Sequence, residues 1–348
     1  MTTQKGLPLE QYLDAFACRE AEAGLAQIIL ALAAVSLILR DLVATGPLIG
    51  DLAKVRREDE AGDPQKELDV RANELILEAL AGTPVAVVAS EEMDVPAVND
   101  WRAPFAVAID PIDGSSNIDT NAPVGTIFSI LPAGPHVEQD PCAPFLQSGP
   151  PLAAGFFIYG PQTALVLTLG RGTQIFTFDL ARCQFIMTTQ HVWIPTRTRE
   201  YAINASNYRH WDEAVRLYID DCLDGTTGTR GVDFNTRWIA SLVAEAFRIL
   251  MRGGIYLYPG DARPGYAQGR LRLVYEATPI AWIVEQAGGA ATDGVRRILD
   301  LAPRILHERV PLVFGSIEEV ELLTRYHTHP DSHGVRSPLF GQRSLFRA

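Results

Sequence analysis

Hydrophobic and polar residues follow two different rhythms along this chain. Up to about Leu80 the apolar positions recur with helical spacing, and Leu25 to Leu39 is almost wholly apolar, broken only by Gln27 and Ser36. That run is shorter than the roughly 18 apolar residues a membrane-spanning helix needs. It predicts a helix buried in the protein or between subunits, and no membrane role. One polar stretch, RREDEAGDPQKELD, spoils the period around Gly62-Asp63-Pro64 and predicts a loop.

From Val85 the rhythm shortens. PVAVVAS, PFAVAID, VGTIFSILP, AAGFFIYG, TALVLTLG and TQIFTFDL predict the strands of a first sheet, and Pro132 to Pro151 predicts a long surface loop. A second unit starts near Pro195, with YAIN as a strand, a helix from Trp211 to Tyr218 and a longer helix from Thr236 to Met251, ended by Gly253-Gly254. GIYLYPG and RLRLVYE predict two more strands. A helix follows, with Thr278 as N-cap, Pro279 in its first turn and Gly288-Gly289 past its end. Glu276 then falls at the carboxyl end of a strand, the edge where open α/β sheets bind ligands. The fold class is α/β, of the α+β layered kind, with units 1–194 and 195–348.

Composition narrows the function. The chain has 348 residues, 47% hydrophobic and 21% charged, which allows a large packed core and excludes a disordered protein. A formal net charge of -12 argues against nucleic acid, whose phosphates are held by clustered Lys and Arg. A small phosphate remains possible if cations, local Arg or Lys, or backbone N–H groups offset the repulsion. Cys18, Cys142, Cys183 and Cys222 lie far apart with no zinc or C-x-x-C spacing, which suits a reducing compartment. The opening MTTQKGLPLEQYLDAF lacks a signal-peptide pattern, so cytoplasm is the expected location.

The chemistry concentrates where apolar strands end in acids. FAVA runs into Ile109-Asp110-Pro111-Ile112-Asp113-Gly114-Ser115-Ser116-Asn117. Asp110 and Asp113 offer hard oxygen ligands, and Pro111 stiffens the turn between them. Gly114, Ser115 and Ser116 offer a turn whose N–H groups can cradle a phosphate. Glu91-Glu92 follows VAVVAS, and Glu276 makes a third strand end. Singly, Asp-Pro, Asp-Gly and Glu-Glu are ordinary turn or surface sequences. Together they suit phosphoryl transfer assisted by several Mg²⁺ ions.

The runs SEEMDVP, DPIDGSSNIDTNAPVGTIFSI and GRLRLVYEATPIAWIVEQAGGAATDG closely resemble the class I fructose-1,6-bisphosphatases, including forms from carbon-fixing bacteria. The resemblance extends from about Glu10 to His327 and implies the sugar phosphatase fold, two stacked units in alternating helix and sheet layers, assembled as a homotetramer or dimer. It implies Mg²⁺, two or three ions per subunit with Mn²⁺ as a substitute, held by Glu91, Asp110, Asp113, Glu276 and the carbonyl of Ile112. It also implies in-line attack of metal-activated water on the 1-phosphate of fructose 1,6-bisphosphate. Asp63 and Asp69 match the family's catalytic loop, with Asp69 and Glu92 as proton acceptors. The far phosphate falls to Asn204, Tyr258, Arg270 and Arg272, with Arg237 reaching across a subunit interface.

Departures from the family pattern are Trp238 for Tyr, Arg270 for Lys and Asn207 for Tyr. Trp donates one N–H and Arg clamps a phosphate with two prongs, so these changes retune the far pocket. Trp238, on the helix expected to carry Leu242 and Phe247, suits core packing as well as ligand contact. The family's AMP-binding polar groups are replaced by EAEAGLAQ and Pro104-Phe105, which implies weak or absent AMP inhibition. His327, His329 and His333 form a further metal-capable cluster, read instead as a solvated tail.

Three rival functions stay open. Sedoheptulose 1,7-bisphosphate would need only a different far pocket. An inositol-type monophosphatase normally has Trp-Asp where this chain has Tyr275-Glu276. A silent binding protein on the same fold is the third.

Overall fold

The structure, a computed structural model, describes residues 6–49, 55–58 and 64–329. The chain opens with helices α1 (Leu9–Phe16) and α2 (Glu20–Thr45), passes a two-stranded antiparallel ribbon of β1 (Val55–Glu58) and β2 (Pro64–Lys66), and continues into α3 (Glu67–Leu80). The predicted polar loop is thus partly a ribbon and partly the first turn of α3. Asp63 lies outside the described residues.

Next come β3 (Val85–Ser90), β4 (Ala97–Val98), β5 (Phe105–Asp113), β6 (Val124–Pro132), β7 (Ala153–Tyr159), β8 (Thr163–Thr168), β9 (Thr173–Asp179) and β10 (Gln184–Thr189). They form one eight-stranded sheet in the order β10-β9-β8-β7-β6-β5-β3-β4. Only β3 and β5 pair in parallel, so both carry their carboxyl ends to the same edge. The six predicted strands of this sheet are all present. β4 and β10 escaped prediction because one is two residues long and the other, QFIMTT, is an edge strand half open to solvent.

The second half holds β11 (Glu200–Ala202), α4 (Glu213–Asp224), β12 (Asn235–Thr236), α5 (Leu242–Arg252), β13 (Ile255–Tyr258), β14 (Leu271–Arg272), α6 (Thr278–Gln286), β15 (Ala290–Thr292), β16 (Arg309–Val310), β17 (Leu312–Gly315) and α7 (Ile317–Thr328). Its five-stranded sheet runs β12-β11-β13-β17-β15, and β14 pairs with β16 apart from it.

Among the described residues, three of four hydrophobic clusters tie five layers together. The first lies between α1–α3 and one face of the large sheet, where α2 contributes Leu25, Ile28, Ile29, Leu32 and Leu39. The second seals the opposite face (Ile127, Phe156, Val166) against α5, α6 and the inner face of the small sheet (Tyr256, Phe314). The third packs α4 and α7 on that sheet's outer face, through Ile255, Leu257 and Val313. Strand alternation explains the partition, since neighbours such as Ile255 and Tyr256 enter different cores. With helices on both faces the strands read as unbroken apolar runs.

Four expectations need correction. α2 spans 26 residues and is long and apolar enough to cross a membrane, so the length argument fails and burial of its apolar face in the first core takes its place. The helix expected from Thr236 begins only at Leu242, because Ser241 caps it through the Ala244 N–H and Ala240 stands at φ +62°. Trp238 is therefore not on that helix. RLRLVYE is a strand only at Leu271–Arg272, after which Leu273–Ala277 forms a π-helical turn that runs straight into α6, leaving no N-cap role for Thr278. His327 belongs to α7 and not to a solvated tail, while His333 lies outside the described residues.

Candidate active site

Asp110 and Asp113 are three apart, a spacing that in a regular strand points two side chains to opposite faces. β5 carries a bulge between them. Asp110 pairs with Ile127 and Asp113 with Gly125, so three steps on β5 match two on β6 and both aspartates emerge on the face of Ile127. That face looks toward the second unit. The Pro111 carbonyl, inside the bulge, accepts the Thr126 hydroxyl at 2.8 Å, and Ile112 is buried.

Parallel pairing of Ser90 with Ile109 brings the next residue of each strand together, and the Glu91 N–H donates to the Ile109 carbonyl at 3.0 Å. Glu276 arrives from the π-helical turn, which packs against β5 and β6. Its carboxylate accepts the Arg272 N–H at 2.5 Å, across the turn that stands where the expected strand would have continued. As a result, carboxylate oxygens of Glu91, Asp110 and Glu276 lie within 4.8 Å of one another.

The electrostatics of this arrangement favour a cation. Asp110 is pushed well above the usual carboxylate range by burial, then by Glu91, Asp113 and Glu276. Glu276 is raised by burial and Glu91, against the pull of the Arg272 N–H. Buried acids that raise one another resist ionisation, and a hard divalent cation among their oxygens relieves both burial and repulsion. The donor set therefore fits the divalent metal that the family resemblance implies.

Asp113 shares the face but not the tight trio. Its Oδ2 accepts the Val243 N–H at 2.8 Å and the Ser241 hydroxyl at 3.4 Å, which joins it to the first turn of α5. Burial pushes its carboxyl up to about 6, and these donors hold it from going higher. Gly114 follows at φ +78°, where a side chain would be strained and would press on Ser241. The turn closes by the Asn117 N–H to the Gly114 carbonyl at 2.8 Å, and the Asn117 amide reaches the Ala240 carbonyl at 2.6 Å. Ser115 and Ser116 then start a six-residue 3-10 helix, Ser115–Thr120.

The remaining predicted residues divide into groups. Arg272 is buried with its Nε 3.5 Å from Glu91, so it sits with the carboxylates and not with the far phosphate group. The reason is local: β14 hands directly into the turn that carries Glu276. Asn204, Tyr258 and Arg270 share a second pocket, which is open to solvent. Trp238 stacks on Tyr258 at its side, ring centres 6.1 Å apart, and on Tyr256 at 5.8 Å. Arg237 stands outside that pocket, 48% exposed, with Nε 3.6 Å from Glu200. Glu92 is half-buried at the turn after β3, and Asp69 is buried in the first turn of α3, a helix that packs on β3 and β5.

Several participants were not foreseen. Val243 and Ser241 anchor Asp113, and the Ser241-Leu242 helix start was the legible signal for them. His307 Nε2 lies 3.0 Å from the Met93 carbonyl while its ring packs 5.3 Å from Tyr275, bracing the segments of both Glu91 and Glu276. A lone His far along the chain gave no sign of this. Arg263 and Tyr266 line the second pocket.

Comparisons with known proteins agree with this geometry. Two family models match, "Fructose-1-6-bisphosphatase, N-terminal domain" over residues 9–190 and "Fructose-1-6-bisphosphatase, C-terminal domain" over residues 194–328. A "Fructose-1,6-bisphosphatase class 1" of Sinorhizobium medicae is 56% identical, covering 99% of each chain, and one of Nitrobacter hamburgensis is 52% identical over 100% of this chain and 99% of its own. Among solved structures, Leishmania major fructose-1,6-bisphosphatase in holo form superposes with a TM-score of 0.86 at 32% identity, over 93% of this chain and 99% of that one.

Proposed function

The chain belongs to the class 1 fructose-1,6-bisphosphatase family, and from that premise we propose that it hydrolyses the 1-phosphate of fructose 1,6-bisphosphate in a Mg²⁺-dependent reaction. The observation that carries the metal dependence is the convergence of Glu91, Asp110 and Glu276 from three separate elements into one buried cluster of carboxylate oxygens.

Glu91, Asp110, Asp113, Glu276 and the Ile112 carbonyl would hold two or three Mg²⁺ ions, with Mn²⁺ as an acceptable substitute. Bound divalent ions supply Lewis-acid charge that activates water and offsets the phosphoryl and leaving-group oxygens. The Gly114–Asn117 turn offers N–H groups to the 1-phosphate. Arg272, already beside Glu91, adds positive charge at the same end. Water attacks phosphorus in line as the bond to the sugar oxygen breaks. Glu92 with Asp69 takes the water proton, and the sugar alkoxide leaves with a proton from solvent. Asp63 belongs to the same proton-handling segment.

At the other end, Asn204, Tyr258 and Arg270 bind the 6-phosphate, and Trp238 shapes the pocket through its stack on Tyr258. Arg237 contributes from a neighbouring subunit of a homotetramer, and its exposure is compatible with that. Sedoheptulose 1,7-bisphosphate is a second substrate on this reading, as the carboxylate end would be unchanged. Gluconeogenesis or the Calvin cycle is the setting, in the cytoplasm. One assay tests the proposal: phosphate release from fructose and sedoheptulose bisphosphates and inositol phosphate, with and without Mg²⁺. Release from fructose 1,6-bisphosphate that needs Mg²⁺ is expected, and release from inositol phosphate alone would replace the reading with the monophosphatase one.

A further inference from the structure

The pocket that holds Asn204, Tyr258 and Arg270 has a second guanidinium, that of Arg263, carried with Tyr266 on the loop between β13 and β14. This loop is fixed at several points. The Ala262 N–H donates to the His210 carbonyl at 3.0 Å, and the Asp261 N–H to the Tyr266 carbonyl at 3.1 Å. Arg263 cannot swing freely from it, because Asp261 grips its side chain.

Asp261 Oδ1 accepts Arg263 Nε at 2.9 Å and the Arg263 N–H at 2.9 Å, while Oδ2 accepts Nη2. Those hydrogen bonds hold Asp261 below the usual carboxylate range, so the grip persists through neutral pH. A guanidinium has five N–H donors. Nε and Nη2 face Asp261, and the two hydrogens of Nη1 have no partner among the described residues. A purely structural pair would have no need to stand in a ligand pocket with donors left over.

Tyr266 ties the two cations together. Its ring lies 4.3 Å from the Arg263 guanidinium carbon and 5.1 Å from that of Arg270. Both guanidinium groups thus reach the same pocket around one ring, and an anion held there would meet two cations. We infer that Arg263 is a second cation for the phosphate that stays on the sugar, a specificity-determining contact working beside Arg270 across Tyr266. The inference rests on the reading that this pocket takes the 6-phosphate.

Such a contact grips ground state and transition state alike, so it governs KM more than kcat. The test uses Arg263→Gln and Arg263→Lys, with Arg270→Gln as comparison, in phosphate release from fructose 1,6-bisphosphate and in calorimetric binding of fructose 6-phosphate. Arg263→Gln should raise KM and the fructose 6-phosphate Kd together, about tenfold, with kcat held within about twofold. Arg263→Lys, which keeps the charge but loses the two-pronged grip, should fall between. Unchanged KM and Kd in Arg263→Gln, while Arg270→Gln weakens both, would overturn the role of Arg263 alone. A wild-type protein that neither releases phosphate nor binds fructose 6-phosphate would overturn the functional reading and this inference with it.

Discussion

Asp113 on β5 is hydrogen-bonded to the Val243 N–H at the start of α5, 2.8 Å away, so an acid of the candidate site also joins the two halves of the molecule. The two duties can be separated. Asp113→Asn keeps an oxygen for the Val243 N–H while removing the charge. Its turnover at saturating Mg²⁺ should fall at least about a hundredfold, given how much of such catalysis is electrostatic. Asp113→Ala leaves the N–H unpaired as well, and urea unfolding should register a further loss of about 1–3 kcal/mol. Near-normal turnover in the Asn variant would remove Asp113 from the metal assignment.

Asp110 and Glu276 are buried beside Glu91, which raises the pKa of both, and Glu276 further raises that of Asp110. Without a cation this crowding destabilises the fold. Metal-free Asp110→Asn should therefore unfold at higher urea than metal-free wild type, although it is inactive. Adding Mg²⁺ should stabilise the wild type by about 2.7 kcal/mol at a hundred times its Kd, and the variant much less. Equal Mg²⁺ stabilisation of both proteins would exclude Asp110 as a ligand.

The gathering of Glu91, Asp110 and Glu276 was legible in the sequence because acids that follow apolar runs are local signals, carried by the residue types themselves, although Glu276 lies in a π-helical turn and not at the strand end expected for it. The large sheet was legible for a similar reason, its strands being continuous apolar runs. What the sequence did not reveal was produced by contacts between distant segments. Arg272 was assigned to the far phosphate, but the chain turns π-helical directly after it, its N–H meets the Glu276 carboxylate and its side chain lies beside Glu91. Trp238 was expected on a helix, but Ala240 at positive φ and the Ser241 cap stop α5 short of it. The Asp261 grip on Arg263 involves two residues of an irregular loop, where no periodicity exists to read.

Gly24, near the start of α2, packs so closely on Phe105 that an added Cβ would lie 2.6 Å from its ring. The segment EAEAGLAQ thus rests on an apolar neighbour where a nucleotide phosphate would need donors. Micromolar AMP is expected to leave the rate of phosphate release unchanged. Abolition of activity at that concentration would show that AMP acts here after all.

His327 on α7 bonds Asp212, the cap of α4, at 3.2 Å. Burial opposes the imidazolium, but the Asp212 hydrogen bond and charge, with the Leu323 carbonyl and Asp293, outweigh it and raise the His327 pKa. Asp212 is pushed up by burial, yet the His327 and Val215 donors bring it below its ordinary value. The pair's stability is therefore fully present below the unfolded His pKa of 6.5 and above the unfolded Asp pKa of 3.8, and it fades as pH rises through the folded His value or falls through the folded Asp value. His327→Gln should lower the Tm most near pH 6, with the gap to wild type closing near pH 9. A gap that is constant with pH would assign the loss to packing alone.

The bulge in β5 makes the active site sensitive to odd and even. Removing Pro111 or Ile112 would leave two steps on β5 against two on β6, a regular ladder that keeps both aspartates on the face of Ile127 without the bulge, whereas removing both would set the aspartates side by side on opposite faces. Deleting both codons should thus turn the aspartates apart and abolish activity, while deleting either one keeps them on one face and loses only the bulge, a constraint imposed by strand geometry and not by the genetic code.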